Sequence, residues 1–200
     1  MRFLLNNAGI ETLGYSWELS AEAWEKIIGI NINGVVQGVR AFAPRMIAAN
    51  KPAYIANVSS VGGVGQMPAQ GAYVMSKHAV LSFSECLSLE MQAVGAPIHV
   101  AAILPGPVKT RVFIDSQVGG DKDFVEGQRA FMENMIADGL TGLQAGEIIL
   151  NGLAAKDFWI TTHPEMLGYL VKQRAEYLTA MKGPVLPEGM KKALRGEKGL

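Results

Sequence analysis

Ala53-Tyr54-Ile55-Ala56-Asn57-Val58-Ser59-Ser60, then glycines 62, 63 and 65, Pro68 and Gly71, then Ala72 through Glu90, is the stretch that sets the fold class. Its first six residues are apolar except Asn57, the composition of a strand covered on both faces. The glycines and the proline form a loop. Beyond it Val80, Phe83, Leu87 and Met91 recur at three- and four-residue spacing, the signature of one helix face. Pro97 closes that connection, and Ile98 to Leu104 is a second near-continuous apolar run. Two buried strands joined through a helix are parallel, with a right-handed crossover.

Working outward, Phe3-Leu4-Leu5 is a short central strand, and Ala8-Gly9 turns away from its end. Ser20 precedes apolar residues at Ala23, Trp24, Ile27, Ile28, Val35, Val39, Phe42, Met46 and Ile47. Their spacing predicts a long helix with Ser20 as N-cap and Glu22 in the favourable first turn. Asparagines and glycines between residues 29 and 34 weaken its middle, so something other than helix propensity must justify them. After Pro105-Gly106-Pro107 we expect a short helix from Arg111 to Asp115, helices over Phe124 to Ile136 and Ala145 to Ala155, and a last strand over Phe158 to Thr162. Residues 183 to 200 carry Pro184, Pro187 and four glycines and read as a mobile tail.

Composition excludes several functions. With 200 residues, 49% of them hydrophobic, the chain can bury a core. Lys plus Arg and Asp plus Glu both total 18, which leaves no basic field for nucleic acid. Cys86 is the only cysteine, so neither a disulfide framework nor a thiolate metal site is available. His78, His99 and His163 lack compact ligand spacing, and no Gly-x-Ser-x-Gly nucleophile elbow accompanies the serines. The apolar start is too short for a signal peptide, and Val94 to Val108, with three prolines and His99, falls short of a membrane span. A cytoplasmic protein that engages neither membrane nor nucleic acid is expected.

The strongest chemical signal is Tyr73-Val74-Met75-Ser76-Lys77. A Tyr and a Lys four positions apart share a helix face. There the ammonium can ease ionisation of a phenol whose pKa is ordinarily about 10. Ser60, thirteen residues upstream at the end of an apolar strand, could donate a hydrogen bond to a carbonyl oxygen while Tyr73 moves the proton. A surface aromatic beside a charge, and a serine that merely ends a strand, are the competing readings of these residues taken singly.

Together they resemble the classical short-chain dehydrogenase/reductase family. Asn6-Asn7-Ala8-Gly9 matches its Asn-Asn-Ala-Gly motif, and Ser60, Tyr73 and Lys77 match its catalytic serine and Tyr-x-x-x-Lys. Asn31 in Asn31-Ile32-Asn33-Gly34 matches its catalytic asparagine, and Pro105-Gly106-Pro107-Val108-Lys109-Thr110 its Pro-Gly segment. The resemblance covers residues 3 to about 165. It implies reversible hydride transfer between NAD or NADP and an alcohol or carbonyl substrate, with Asn31, Ser60, Tyr73 and Lys77 catalytic. Asn7, Ala8, Gly9, Tyr73, Lys77, Pro105, Gly106, Val108 and Thr110 would border the cofactor. Phe113, Ile114, Phe124, Phe131, Met132 and Met135 could form an apolar lid, which favours an apolar alcohol or ketone. A homodimer or homotetramer assembled through the helices near 20 to 49 and 72 to 93 is implied as well.

The family's Thr-Gly-x-x-x-Gly-x-Gly phosphate loop is absent from the sequence, and Gly62-Gly63-x-Gly65 lies in the wrong place to replace it. From this we expect an N-terminally truncated member. The expected fold is α/β, a three-layer Rossmann-like doubly wound parallel sheet incomplete at its N-terminal half. Residues 1–182 would form a single partial catalytic domain, and residues 183–200 the tail. Such a chain would bind NAD or NADP weakly. The alternative is a noncatalytic dimerisation or regulatory fragment derived from such an enzyme.

Overall fold

The computed structural model describes residues 1–113, 116–120, 122–188 and 191. Four parallel strands form its main sheet: β1 (Phe3–Asn6), β3 (Ala53–Val58), β4 (Ile98–Leu104) and β6 (Trp159–Thr161), side by side in that order. Two short strands, β2 (Thr12–Leu13) and β5 (Gln117–Val118), pair separately. The helices are α1 (Ala21–Ile27), α2 (Gly34–Ala49), α3 (Gly71–Ala93), α4 (Lys122–Ala137), α5 (Gly142–Ala155) and α6 (Pro164–Thr179).

Alternation within the strands sends side chains to two cores. Leu4, Ile55 and Val100 meet Val39, Ala43 and Met46 of α2 and Leu87 and Met91 of α3. Ala56, Ala101, Ile103 and Ile160 meet Leu153 of α5 on the opposite face. Helix, sheet and helix thus form three layers, and the runs 53–58 and 98–104 are apolar because both their faces are covered.

The expected incompleteness is corrected: among the described residues the sheet has its N-terminal strand, which lies at an edge rather than in the centre. Residues 3–6 form β1, in register with β3 from Phe3 opposite Tyr54 to Asn6 opposite Asn57, and the helical stretch that follows is in place. Leu4 packs into the core, and Asn6 Nδ2 donates to Asn57 Oδ1 at 2.8 Å. The expectation treated a missing phosphate-loop motif as a missing piece of sheet, but a motif and a strand are separate things. Among the described residues the four strands succeed one another across the sheet in chain order, with helices on both of its faces.

The long helix expected after Ser20 is three pieces. Ser20 Oγ accepts the Ala23 N–H at 3.2 Å, as an N-cap should. Between α1 and α2 the chain widens into a π-helical turn, Ile28–Asn33, whose end is marked by the Gly34 N–H reaching back to Gly29 O. The asparagines and glycines of this stretch sit where the regular ladder is broken, and π-turns of this kind favour functional sites.

The expected helix at 111–115 is not formed at 111–113, which bend and turn, and Ile114 and Asp115 lie outside the described residues. Most of the expected tail lies outside them too. Helix α6 was not anticipated. It buries no residue completely and so carries no strong apolar stripe, although Pro164 at its first turn is a proper start signal.

Gly38 in α2 faces Asn6, and a Cβ there would collide with Asn6 Oδ1. Asn6 is the first link of a polar chain in which Asn57 Nδ2 donates to Ser84 Oγ at 3.0 Å and Ser84 Oγ donates to Val80 O at 2.7 Å. Gly38→Ala should therefore destabilise the fold by roughly 1–3 kcal/mol despite Ala's better helix propensity. Urea denaturation showing equal or higher stability would contradict the tight α2–β1 approach.

Candidate active site

The C-terminal ends of β1, β3 and β4 open onto a cavity of about 1060 Å³. Ser60 follows β3 and caps the 3₁₀ turn Val61–Gly63, its Oγ accepting the Gly62 N–H at 3.1 Å. Tyr73 and Lys77 come from the first two turns of α3, and Ser60, on the same cavity wall, favours the ionised form of the Tyr73 hydroxyl. Lys77 is buried; its Nζ donates to Val58 O at 3.1 Å and lies 5.5 Å from the Tyr73 ring centre. The loop after β3 and the Pro-Gly segment are tied together, since the Val61 N–H donates to Pro105 O at 2.9 Å.

Asn31 sits in the π-helical turn, 1% exposed. Its Oδ1 accepts the Ile10 N–H at 2.8 Å, and its Nδ2 donates to Ile10 O and to Ser76 Oγ, both at 2.9 Å. Ser76 Oγ in turn donates to Tyr73 O at 2.7 Å. Asn31 thus fixes the loop after β1 and the Tyr73–Ser76 turn of α3 at once. A Cβ on Gly9 would stand 3.3 Å from Lys77 Nζ and 3.5 Å from Asn31 Oδ1, so the turn, the lysine and the asparagine converge at one point.

Of the other residues expected at the cofactor, Asn7, Gly9, Pro105, Gly106, Val108 and Thr110 line the cavity, and Ala8 does not. The Gly106 N–H donates to Thr162 Oγ1 at 3.0 Å. Val108 bridges to Leu140, which holds the segment to the start of α5. Within the expected lid, Phe113, Met132 and Met135 line the cavity, whereas Phe131 is exposed. Ile114 and the Phe124 side chain lie outside what the structure describes. His78, His99 and His163 stand apart, and among the described residues no group of three or more His, Cys, Asp or Glu is placed to hold a metal.

Sequence reasoning missed Glu11 and Gln70, both buried in the wall, and Met166, Tyr169 and Leu170 of α6. An acidic residue between Ile10 and Leu13 was the one signal that could have drawn attention to Glu11.

The electrostatics differ from the expectation for the isolated pair. Burial raises the Tyr73 phenol above its ordinary value, the Glu11 charge adds to this, and the Ser60 hydrogen bond only partly offsets it. Burial pushes the Lys77 ammonium down to about 8. In the free chain Tyr73 is therefore set to hold its proton as an acid.

The short chain dehydrogenase family profile matches residues 1–118. The chain belongs to the short-chain dehydrogenase family. Among curated relatives, the chain is 35% identical over 153 residues to the "Putative oxidoreductase SadH" of Mycobacterium tuberculosis, an alignment covering 74% of the chain and 53% of that protein. It is 32% identical over 137 residues to the "Probable oxidoreductase EphD" of the same species, covering 67% of the chain and 23% of that protein. The chain thus spans about half the length of one of these relatives and under a quarter of the other. Among solved structures, a short chain dehydrogenase/reductase from Burkholderia phymatum in complex with NAD superposes with a TM-score of 0.86 at 29% identity, covering 94% of this chain and 69% of that one. Among the described residues, no helix is long and apolar enough to cross a membrane.

Proposed function

We propose that this chain catalyses NAD(P)-dependent interconversion of an alcohol and a carbonyl compound. The observation that carries the reading is the meeting of Ser60, Tyr73 and Lys77 on the wall of a cavity that Asn7, Gly9, Pro105, Gly106, Val108 and Thr110 also line, with Asn31 hydrogen-bonded to the helix turn behind them. The cavity suits the nicotinamide end of a dinucleotide. Gly9 leaves bare backbone beside Lys77, where a side chain would crowd an approaching ribose, and Lys77 directs its ammonium to the same place.

Asn7, Gly9, Tyr73, Lys77, Pro105, Gly106, Val108 and Thr110 would hold that group. When bound it supplies or accepts hydride. Ser60 offers its hydroxyl to the substrate oxygen, and Tyr73, kept protonated by its burial, gives that oxygen a proton in the reducing direction. Lys77 places a positive charge beside the tyrosinate that this leaves. Asn31 holds the loop and helix that set these distances.

The walls support an apolar substrate. Phe113, Met132 and Ile136 form one apolar cluster beside the opening, and Ile149, Leu153, Met166 and Leu170 continue the lining. The test is an absorbance assay for reduced nicotinamide on the purified chain, with NAD and NADP and a panel of secondary alcohols and ketones, paired with calorimetric titration of each nucleotide. Turnover supports the reading. Nucleotide binding without turnover across the panel would favour the noncatalytic alternative.

Self-association accompanies this reading. Outward from the buried stripes of α2 and α3 stand Ile47, Met75 and Leu89, 36%, 41% and 65% exposed, which a two-fold pairing of these helices would cover. Light scattering should return a dimer or tetramer at micromolar concentration, and a monomer throughout that range would remove this part of the proposal.

A further inference from the structure

The cavity wall holds a carboxyl that the proposed reaction does not use. Glu11 follows the Asn7–Gly9 turn, is 1% exposed, and lines the cavity together with Gln70, Tyr73 and Lys77. Its Oε1 accepts the Thr12 N–H at 3.0 Å, and its Oε2 accepts Gln70 Nε2 at 3.4 Å. Gln70, itself 6% exposed, is the N-cap residue of α3. The carboxyl is thereby fastened to the end of the helix that carries Tyr73 and Lys77. Both of its donors are neutral. The titratable groups that share the cavity wall with it are Tyr73 and Lys77 of α3 and Arg111 of the loop after β4; the π-helical turn contributes no charged group. Packing gives no reason for an acid here, since glutamine would fill the same volume and keep the Thr12 bond without a buried charge.

We propose that Glu11 is a positioning residue that acts through Lys77, its carboxylate serving as the counter-charge that keeps the Lys77 ammonium in place against Val58 O and the Tyr73 ring. The inference rests on the dehydrogenase reading of this cavity. Burial drives the two groups toward neutrality from opposite sides, holding the Glu11 carboxyl well above the usual carboxylate range and the Lys77 ammonium down at about 8. Each resists the other's shift: Lys77 draws Glu11 down, and Glu11 draws Lys77 up. Two groups so linked titrate as a unit. Removing the carboxylate therefore releases the Lys77 proton at lower pH. Gln70 and the Thr12 amide fix the geometry of the coupling.

The test is NMR titration of the full chain, free of nucleotide, with carbon-13 at lysine Cε and glutamate Cδ. Signals are assigned through Lys77→Arg and Glu11→Gln. Lys77 should titrate near 8. Glu11→Gln should move that midpoint down by roughly one pH unit, and Glu11→Asp should restore part of the shift. A lysine midpoint unchanged by Glu11→Gln overturns the proposal. Should Glu11→Gln fail to fold, Lys77→Met decides alone: the Glu11 midpoint must rise, and an unmoved midpoint overturns the coupling. Neither measurement needs nucleotide or turnover. Coupled titration in a chain that fails the alcohol and ketone assay would count against the enzymatic reading and leave the electrostatic pair standing.

Discussion

Tyr73→Phe is expected to lower turnover by roughly a hundred- to ten-thousand-fold, the range for loss of a positioned general acid, while folding and nucleotide affinity stay near those of the parent chain. The substitution keeps the ring that packs with Leu19, Ala23, Ile27 and Ala72 and deletes only the hydroxyl. That hydroxyl is the group that Ser60 contacts and that burial keeps protonated. Lys77 would remain anchored to Val58 O, so a loss confined to the proton-transfer step separates chemistry from architecture. The checks are steady-state rates, calorimetric nucleotide titration and a circular-dichroism melt. Turnover within a few-fold of the parent would remove Tyr73 from the mechanism.

The second large effect belongs to Asn31. Asn31→Ala removes three hydrogen bonds in a buried place and leaves the Ile10 N–H and C=O and the Ser76 hydroxyl to find other partners. At about 1–3 kcal/mol for each buried polar group left unsatisfied, a destabilisation of roughly 3 kcal/mol or more is expected. Ser76 keeps its bond to Tyr73 O, but the loop of residues 7–12 loses its tether to the π-helical turn. Gly9 and Glu11 ride on that loop, so activity should fall beyond what the lost stability explains. Urea denaturation and rates measured well below the unfolding transition separate the two effects. A stability change under about 1 kcal/mol would show that water or neighbouring groups replace the amide.

Sequence by itself determined the parts governed by local periodicity and residue chemistry. The apolar runs at 53–58 and 98–104 are strands because, Asn57 and His99 apart, their residues favour removal from water on both faces. Ser20 caps because its hydroxyl stands three residues before a free N–H. Tyr73 and Lys77 share a helix face because 3.6 residues make a turn. The asparagines and glycines around Asn31 announced a break in a helix, although not that the break would be π-helical. Tertiary structure decided the rest, for reasons that do not act along the chain. That Phe3-Leu4-Leu5 is a strand was legible in its apolar run, but its place beside residues some fifty positions away, at an edge of the described sheet rather than in its centre, is set by pairing that the run does not encode. The wall supplied by α6 has no stripe to betray it, since that helix meets the cavity through a few side chains and buries none of them fully. The charge state of the site was the least legible. Spacing places an ammonium near a phenol and predicts easier ionisation, whereas removal from water, a penalty set by everything packed around the pair, raises the Tyr73 pKa instead and brings in Glu11, 62 and 66 positions away from Tyr73 and Lys77 in the chain.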